Sequence, residues 1–469
     1  MHRDRSVVDC PTSSRPLGGY PSSLFVAPPG SLVTTVKRPA QPWDVFEDFA
    51  ASSQSTRHAT MIVLSVGLAM RLLVLGIVVR QYPPAWLFQR GLEMGWLAQS
   101  ILNGQGLSSP FGPLTGPSAF VAPAYPLLIA GVFRIFGSYT FASAIFIMSV
   151  QIGLNLVTIW LMMHVARTLF DPLVSLIAGL VWACSLPLIW MPTIFWDTSI
   201  SICLMVGLLA VVLRLRGRTT TWSWVLLGSY AALIALVNPA MILLSVSMIG
   251  WLASQELPDR PWGGLLAALT FCVVFSPWPI RNARVLHAFV PLRSTLSYEL
   301  WMGNRSGATG YLDQSLFPSF NPDELNDYKA RGELGYTAHK ADLAKHYILT
   351  HPKSTMLLTT LRITRYWLGT GTRGGSPIFA VHAVMTFCFG LLGLSMIYRR
   401  QMFDILVLFS LPLLLFPLPY YITHAEFRYR LAVDPLLTIL AAYAVATLYR
   451  AVRAAEAHPL IPPDCPVHG

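Results

Sequence analysis

Along the 469 residues, apolar positions come in long runs broken by short polar punctuation. The alternation of a half-buried strand and the narrow stripe of a soluble amphipathic helix are both missing from these runs. Segments approaching the ~20 residues needed to cross hydrocarbon fall at 60–80, 138–167, 172–190, 193–213, 222–237, 239–254, 263–281, 378–399, 403–422 and 431–450. The pattern predicts an all-α polytopic membrane protein of about ten transmembrane helices. It leaves two long intervening loops, 81–137 and 282–377. Within the first, Met94, Leu97, Ala98 and Ile101 recur at helical spacing, while Glu93, Trp96, Ser100 and Asn103 fall on another face. That segment is too short to span and ends at Asn103-Gly104, where glycine can adopt the left-handed conformation that closes a helix. A surface helix with Glu93 turned away from lipid is the expectation. A second short apolar stretch, YPLLIAGVFRIFG, follows a Pro- and Gly-rich linker, and TMLLTTLRITRYWLG in the second loop reads as a further interfacial helix.

Composition agrees with this reading, since 54% of the residues are hydrophobic and only 12% are charged, against about a quarter charged in soluble chains. Arginines in the short connections RTLFDP, RLRGR, QELPDR, YRRQ and RAVR set the orientation. Lysine and arginine mark cytoplasmic loops, and long translocated loops are exempt. The expected location is the plasma membrane, multi-pass, with both long loops on the extracytoplasmic face. Trp222, Trp224, Trp251, Trp262 and Trp278 stand near predicted span ends, where an aromatic belt would lie. The predicted organisation is a disordered cytoplasmic tail over 1–59, an N-terminal transmembrane module over 60–281, an extracytoplasmic region over 282–377, C-terminal spans over 378–450 and a cytoplasmic tail over 451–469. Six scattered cysteines support neither a disulfide framework nor a metal site. The net charge of +11 fits anionic headgroups, and no basic domain for nucleic acid is present. No G-x-x-x-x-G-K and no HExxH occurs.

Candidate chemistry therefore concentrates in the loops. Glu93 is a lone acid among apolar and aromatic neighbours at a membrane boundary, where a charge needs partners; a merely solvated acid is the plain alternative. Asp197, in LIWMPTIFWDTSISICL, is its candidate partner, or simply an N-cap. Arg281, Arg284, Arg428 and Arg430 sit at predicted outer span ends, where guanidinium forks can bind phosphate or snorkel to headgroups. Arg293, Glu299, Asn304 and His424 accompany them. Arg71 lies in mid-span and should face the protein interior or a wet cavity, because an unpaired charge there costs several kcal/mol.

Taken in order, E-x-x-x-x-A-x-x-I-x-x-G-x-G from Glu93, SSPF, P-x-YP-L-L, PWPIRN, ELWMGN and EFRYR-x-x-x-x-P resemble the integral-membrane glycosyltransferases of the GT-C superfamily. The resemblance is to bacterial relatives of the protein O-mannosyltransferases and of the lipid A aminoarabinose transferase, and it covers most of the chain after about residue 60. It implies transfer of a sugar from a polyprenyl-phosphate donor to an extracytoplasmic acceptor, with inversion. Glu93 would be the catalytic base or an acceptor-orienting carboxylate, Asp197 would assist it or help position a metal, the arginines would bind the donor phosphate, and Glu299, Asn304 and His424 would position the acceptor or the loops. No cofactor is certain. A divalent metal held by Glu93 and Asp197 is possible, although family members often carry a second acid where this chain has Met94. Partners would be the lipid-linked donor, the acceptor and membrane lipid. The alternative readings are a transporter or lipid flippase, disfavoured by the lack of an internal repeat, and a non-catalytic assembly subunit.

Overall fold

The computed structural model describes residues 53–82, 92–369 and 377–457, all within one compact unit, Val45–Gly469. Most of both expected tails lies outside the described residues. In chain order the helices are α1 (Ser53–Gln81), α2 (Leu92–Leu102), α3 (Ala124–Phe136), α4 (Phe141–Leu169), α5 (Pro172–Cys184), α6 (Leu186–Trp190), α7 (Thr198–Leu215), α8 (Thr221–Val237), α9 (Ile242–Gln255) and α10 (Gly263–Phe275). There follow α11 (Pro277–Leu286), α12 (Leu296–Gly303), α13 (Pro322–Thr350), α14 (Pro352–Leu368), α15 (Pro377–Arg399), α16 (Phe403–Leu415), α17 (Leu418–Ile422), α18 (Phe427–Arg430) and α19 (Asp434–Ala457).

Seven helical segments among the described residues are long and apolar enough to cross a membrane, and a bent pair makes an eighth. The remaining two expected spans, 222–237 and 239–254, correspond to the shorter apolar helices α8 and Pro239–Gln255, which fall below that length. The protein is a multi-pass, all-α membrane protein. The third expected span is not one rod. It bends by 60° between α5 and α6, because Pro187 cannot extend α5 and instead sits in the first turn of α6. A second proline, Pro192, lies in the 3₁₀ turn Met191–Thr193 that follows. The apolar run SLPLIWMP hid this break, since hydropathy does not register backbone direction.

Arg71 explains how the bend is held. Its side chain is buried, and among the described residues its hydrogen-bond partners include no acid. Nε and NH2 donate to Asn155 Oδ1 at 3.0 and 2.6 Å, NH1 to Gly67 O (2.9 Å) and Ala183 O (3.2 Å), and NH2 to Trp182 O (3.2 Å). A cation thus meets the exposed carbonyl end of α5, where the helix dipole favours positive charge. One turn away on α4, Gln151 Nε2 donates to Pro192 O and Ile194 O, both at 3.1 Å. Two amides on one face of α4 therefore fix the chain from the bend to Trp196.

The loops at the opposite end of the bundle also interlock. Arg216 pairs with Asp404 and donates to Gln255, Glu256 accepts from Gly217 N and Thr219 Oγ1, and Arg450 pairs with Asp171. These contacts join connections that the arginine pattern assigned to one side. The tryptophans divide: Trp222 and Trp262 are exposed, as a belt requires, whereas Trp224, Trp251 and Trp278 are buried in helix packing.

Helices α15 and α19 pack backbone to backbone at Gly393, where an added Cβ would stand 2.3 Å from Leu440 O. Gly393→Ala is expected to force the pair apart and destabilise the fold by about 1–3 kcal/mol. Thermal unfolding in detergent should register a lower midpoint, whereas Gly76→Ala, which meets no atom within 4 Å, should leave it unchanged.

Candidate functional site

Stretches far apart in sequence line one cavity, among them the start of α2, the turn before α7, the segment around α12 and the chain from α17 through α18. Helix α2 is as the spacing predicts, with Met94, Leu97 and Ala98 buried and Gly104 closing it at φ 77°. Its polar face is wet only at its end, where Asn103 is exposed, because Glu93 and Ser100 are buried as well. The Glu93 carboxyl points into protein. The plain solvated reading of this acid does not describe the structure.

Asp197 lines the same cavity and is also buried. It stands at the N-cap position of α7 but makes no side-chain cap bond; its Oδ2 instead accepts from Ser201 Oγ at 3.2 Å. The N-cap reading therefore fails on geometry. Burial raises the pKa of both acids, opposed at Glu93 by its own backbone N–H and Arg428, and at Asp197 by Arg428 and Arg293 together with Ser201 and Asn238.

Arg428 supplies the facing charge. Its Nε donates to Glu426 Oε2 at 2.5 Å and NH2 to the Tyr429 hydroxyl at 3.2 Å, while the guanidinium stacks over Trp196 at 3.9 Å. Burial works against its charge, but Glu426, Tyr429 and Asp197 outweigh that and raise its pKa. Arg293 lines the cavity with Glu299, 3.7 Å away. His424 is fully buried among them, with Nε2 3.0 Å from the Tyr429 hydroxyl. Burial, with Arg428, Arg362 and Arg293, pushes this imidazole down to about 4 against the pull of Glu426, so it is neutral near pH 7.

The remaining expected residues lie elsewhere. Arg281 braces the first long loop, donating to Ser118 O (2.7 Å) and Leu107 O (2.6 Å). Arg284 is exposed and outside the lining. Arg430 is buried with Asp434 (3.1 Å), Thr386 Oγ1 (2.6 Å) and Ala383 O (3.0 Å). Asn304 positions the loop, donating to Ile422 O (2.8 Å) and accepting from Arg362. Arg362 also donates to Gly303 O, Tyr421 O and Ile422 O. Gly303 is required for this clasp, since a Cβ there would overlap Thr423 O at 1.6 Å.

Three contributors were not legible beforehand. Arg362 sits in an interfacial-looking helix and gives no sign of its carbonyl partners. Glu333 joins the two long loops, accepting from Ala119 N (2.7 Å), Ser294 Oγ (2.8 Å) and Tyr328 Oη (2.9 Å). Asn238, in the break between α8 and α9, carried only a turn signal. Arg293, noticed only as an accompaniment to the other loop residues, belongs to the lining.

Among the described residues no three His, Cys, Asp or Glu side chains gather as a metal-ligand set. The charges set against Glu93 and Asp197 are guanidinium groups. The sequence GTGTRG at 369–374 spells G-x-G-x-x-G, but it follows helix α14, not a strand, so the phosphate-cradling context is missing. Most of it lies outside the described residues.

No protein-family model and no curated protein matches the chain. Among solved structures it is similar to the apo oligosaccharyltransferase of Archaeoglobus fulgidus, with TM-score 0.50 and 14% identity over 86% of this chain and 52% of that one. It is also similar to the oligosaccharyltransferase AglB of that organism in complex with an inhibitory peptide and a dolichol-phosphate (TM-score 0.44, 12% identity, 85% and 52% covered). A third is ArnT from Cupriavidus metallidurans bound to undecaprenyl phosphate (TM-score 0.34, 14% identity, 89% and 80% covered). The chain spans about half the length of the oligosaccharyltransferase. The likeness is one of fold: the chain shares the fold of that oligosaccharyltransferase over 86% of its own length.

The electrostatics can be read out separately for each acid. In Arg293→Gln the titration of Asp197 should move to higher pH while that of Glu93 stays in place; in Arg428→Gln both should move up. Difference infrared spectroscopy of the protonated carboxyl band, assigned with Glu93→Gln and Asp197→Asn, measures both.

Proposed function

We propose that the protein is a membrane glycosyltransferase that moves a sugar from a polyprenyl-phosphate donor to a hydroxyl-bearing acceptor, with inversion, on the extracytoplasmic face of the plasma membrane. The observation that carries this reading is one cavity lined by two buried acids, Glu93 and Asp197, and two guanidinium groups, Arg428 and Arg293. A base for the incoming hydroxyl and cations for a departing phosphate are what such a displacement needs.

In the proposed step the acceptor oxygen bonds to the anomeric carbon as its proton passes to the Glu93 carboxylate. The bond from that carbon to the phosphate oxygen breaks, and its electron pair stays on the lipid phosphate. Arg428 and Arg293 hold that phosphate, while Asp197 orients the acceptor or the sugar. A single displacement inverts the anomeric centre. Burial makes Glu93 a stronger base than an exposed glutamate, at the cost of keeping it protonated to higher pH. A second cavity is lined by Arg428 and Glu426 and, as its apolar wall, by Pro187, Trp190, Ile194, Phe379 and Phe427, which suits the start of a lipid chain. The GT-C fold supports this chemistry by analogy.

The test is transfer by protein reconstituted in nanodiscs, supplied with labelled undecaprenyl-phosphate sugars and an envelope extract as acceptor. Glu93→Gln should lower the rate by about 10²–10⁴-fold. The parent's acid limb should lie above the ordinary glutamate range, because activity is lost as pH falls through a raised pKa. Undiminished transfer by Glu93→Gln would remove that residue from the mechanism.

A further inference from the structure

Two polar atoms of the cavity lining have no protein partner: Nδ1 of His424 and Oγ1 of Thr295. Their residues are 0% and 3% exposed, so bulk solvent does not reach them. Buried polar groups are nearly always paired, and an exception at a site marks a place for a ligand. Thr295 makes the point independently. It stands at the N-cap of α12, where threonine ordinarily accepts from the helix, yet its backbone is helical (φ −67°, ψ −20°) and its hydroxyl makes no cap bond.

The neighbours of His424 fix which of its nitrogens is free. Arg428 donates to the Tyr429 hydroxyl oxygen at 3.2 Å, and that hydroxyl lies 3.0 Å from His424 Nε2. Of these two neighbours the guanidinium can only donate, so the one acceptor among them for the phenol hydrogen is Nε2. The proton of the neutral imidazole then resides on Nδ1, as an unused donor on the cavity wall. The free volume of the cavity is about 70 Å³; at ~10–15 Å³ for one water that is space for a handful of waters, or for the ring of one sugar that replaces them.

We propose that His424 and Thr295 form the recognition pair for the glycosyl unit, the His424 Nδ1–H donating to one ring substituent oxygen and the Thr295 hydroxyl bonding a second. The proposal rests on the donor-site reading above and adds to it the hydroxylated sugar as the part of the donor that these residues distinguish from bare lipid phosphate. Phosphate affinity resides in Arg428 and Arg293, and discrimination for the sugar in His424 and Thr295. Asparagine at 424 carries an amide nitrogen near the position of Nδ1, whereas phenylalanine keeps the ring and loses the donor.

The test compares binding of undecaprenyl phosphate with binding of undecaprenyl-phosphate-linked glucose, mannose and arabinose to the full chain in nanodiscs. The parent should bind at least one glycosylated lipid more tightly than the bare lipid. Thr295→Val and His424→Phe should each reduce that preference about tenfold while bare-lipid affinity stays within about twofold, which also reports an intact fold. His424→Asn should retain most of the preference. A Thr295→Val, His424→Phe double variant that keeps the full preference overturns the proposal, as does a parent chain that binds bare lipid and prefers no sugar. A parent that binds neither lipid overturns the donor reading and this proposal with it.

Discussion

Arg428 is the charge around which the site is arranged. Its side chain is 16% exposed, so bulk water does little to solvate it. Glu426 alone neutralises it by direct contact, and the faces of Trp196 and Tyr429 accept what remains. A guanidinium held this way attracts other anions strongly, because the surrounding dielectric is low. Glu93 and Asp197 both feel it, and without it burial would keep both carboxyls protonated to still higher pH. Arg428 also stands between the polar cavity and the apolar one beside α6 and α15, the position in which a lipid phosphate would bridge its own chain and its sugar.

Keeping that arrangement requires irregular backbone near a membrane boundary, and irregular backbone leaves carbonyls unpaired. Buried side chains satisfy them. Arg71 and Asn155 cover the end of α5, Gln151 covers Pro192 and Ile194, and Arg362 with Asn304 covers residues 303, 421 and 422. The first two clasps deliver Trp196 and Asp197, and the third delivers His424 and Arg428. Two arginines with no acid partner are thus understandable as structural: each replaces water at a set of carbonyl dipoles.

Much of this was legible in the sequence, for physical reasons. Spans announce themselves because lipid demands apolar length, and α2 because its apolar positions repeat at 3.6 and end at Gly104. Glu93 and Asp197 stood out because acids near lipid need partners. Which charges they would meet was not legible, since those stand 96 to 335 residues away in the chain. Arg281 and Arg430 look on paper like Arg428, and only the fold sends them to loop carbonyls and to Asp434. The broken span was hidden because its two prolines sit inside an unbroken apolar run. Arg362 and Glu333 were missed because a polar residue on a polar helix gives no local sign of burial.

The central claim is that Arg428 and Arg293 together hold a lipid phosphate against Glu93 and Asp197. Cryo-electron microscopy of the chain in nanodiscs with undecaprenyl phosphate tests it most directly. The account predicts phosphate density within hydrogen-bond distance of Arg428, facing Arg293, with the chain leaving past Trp190 and Phe379. Phosphate density at Arg281 or Arg284, with this cavity left vacant, would contradict it.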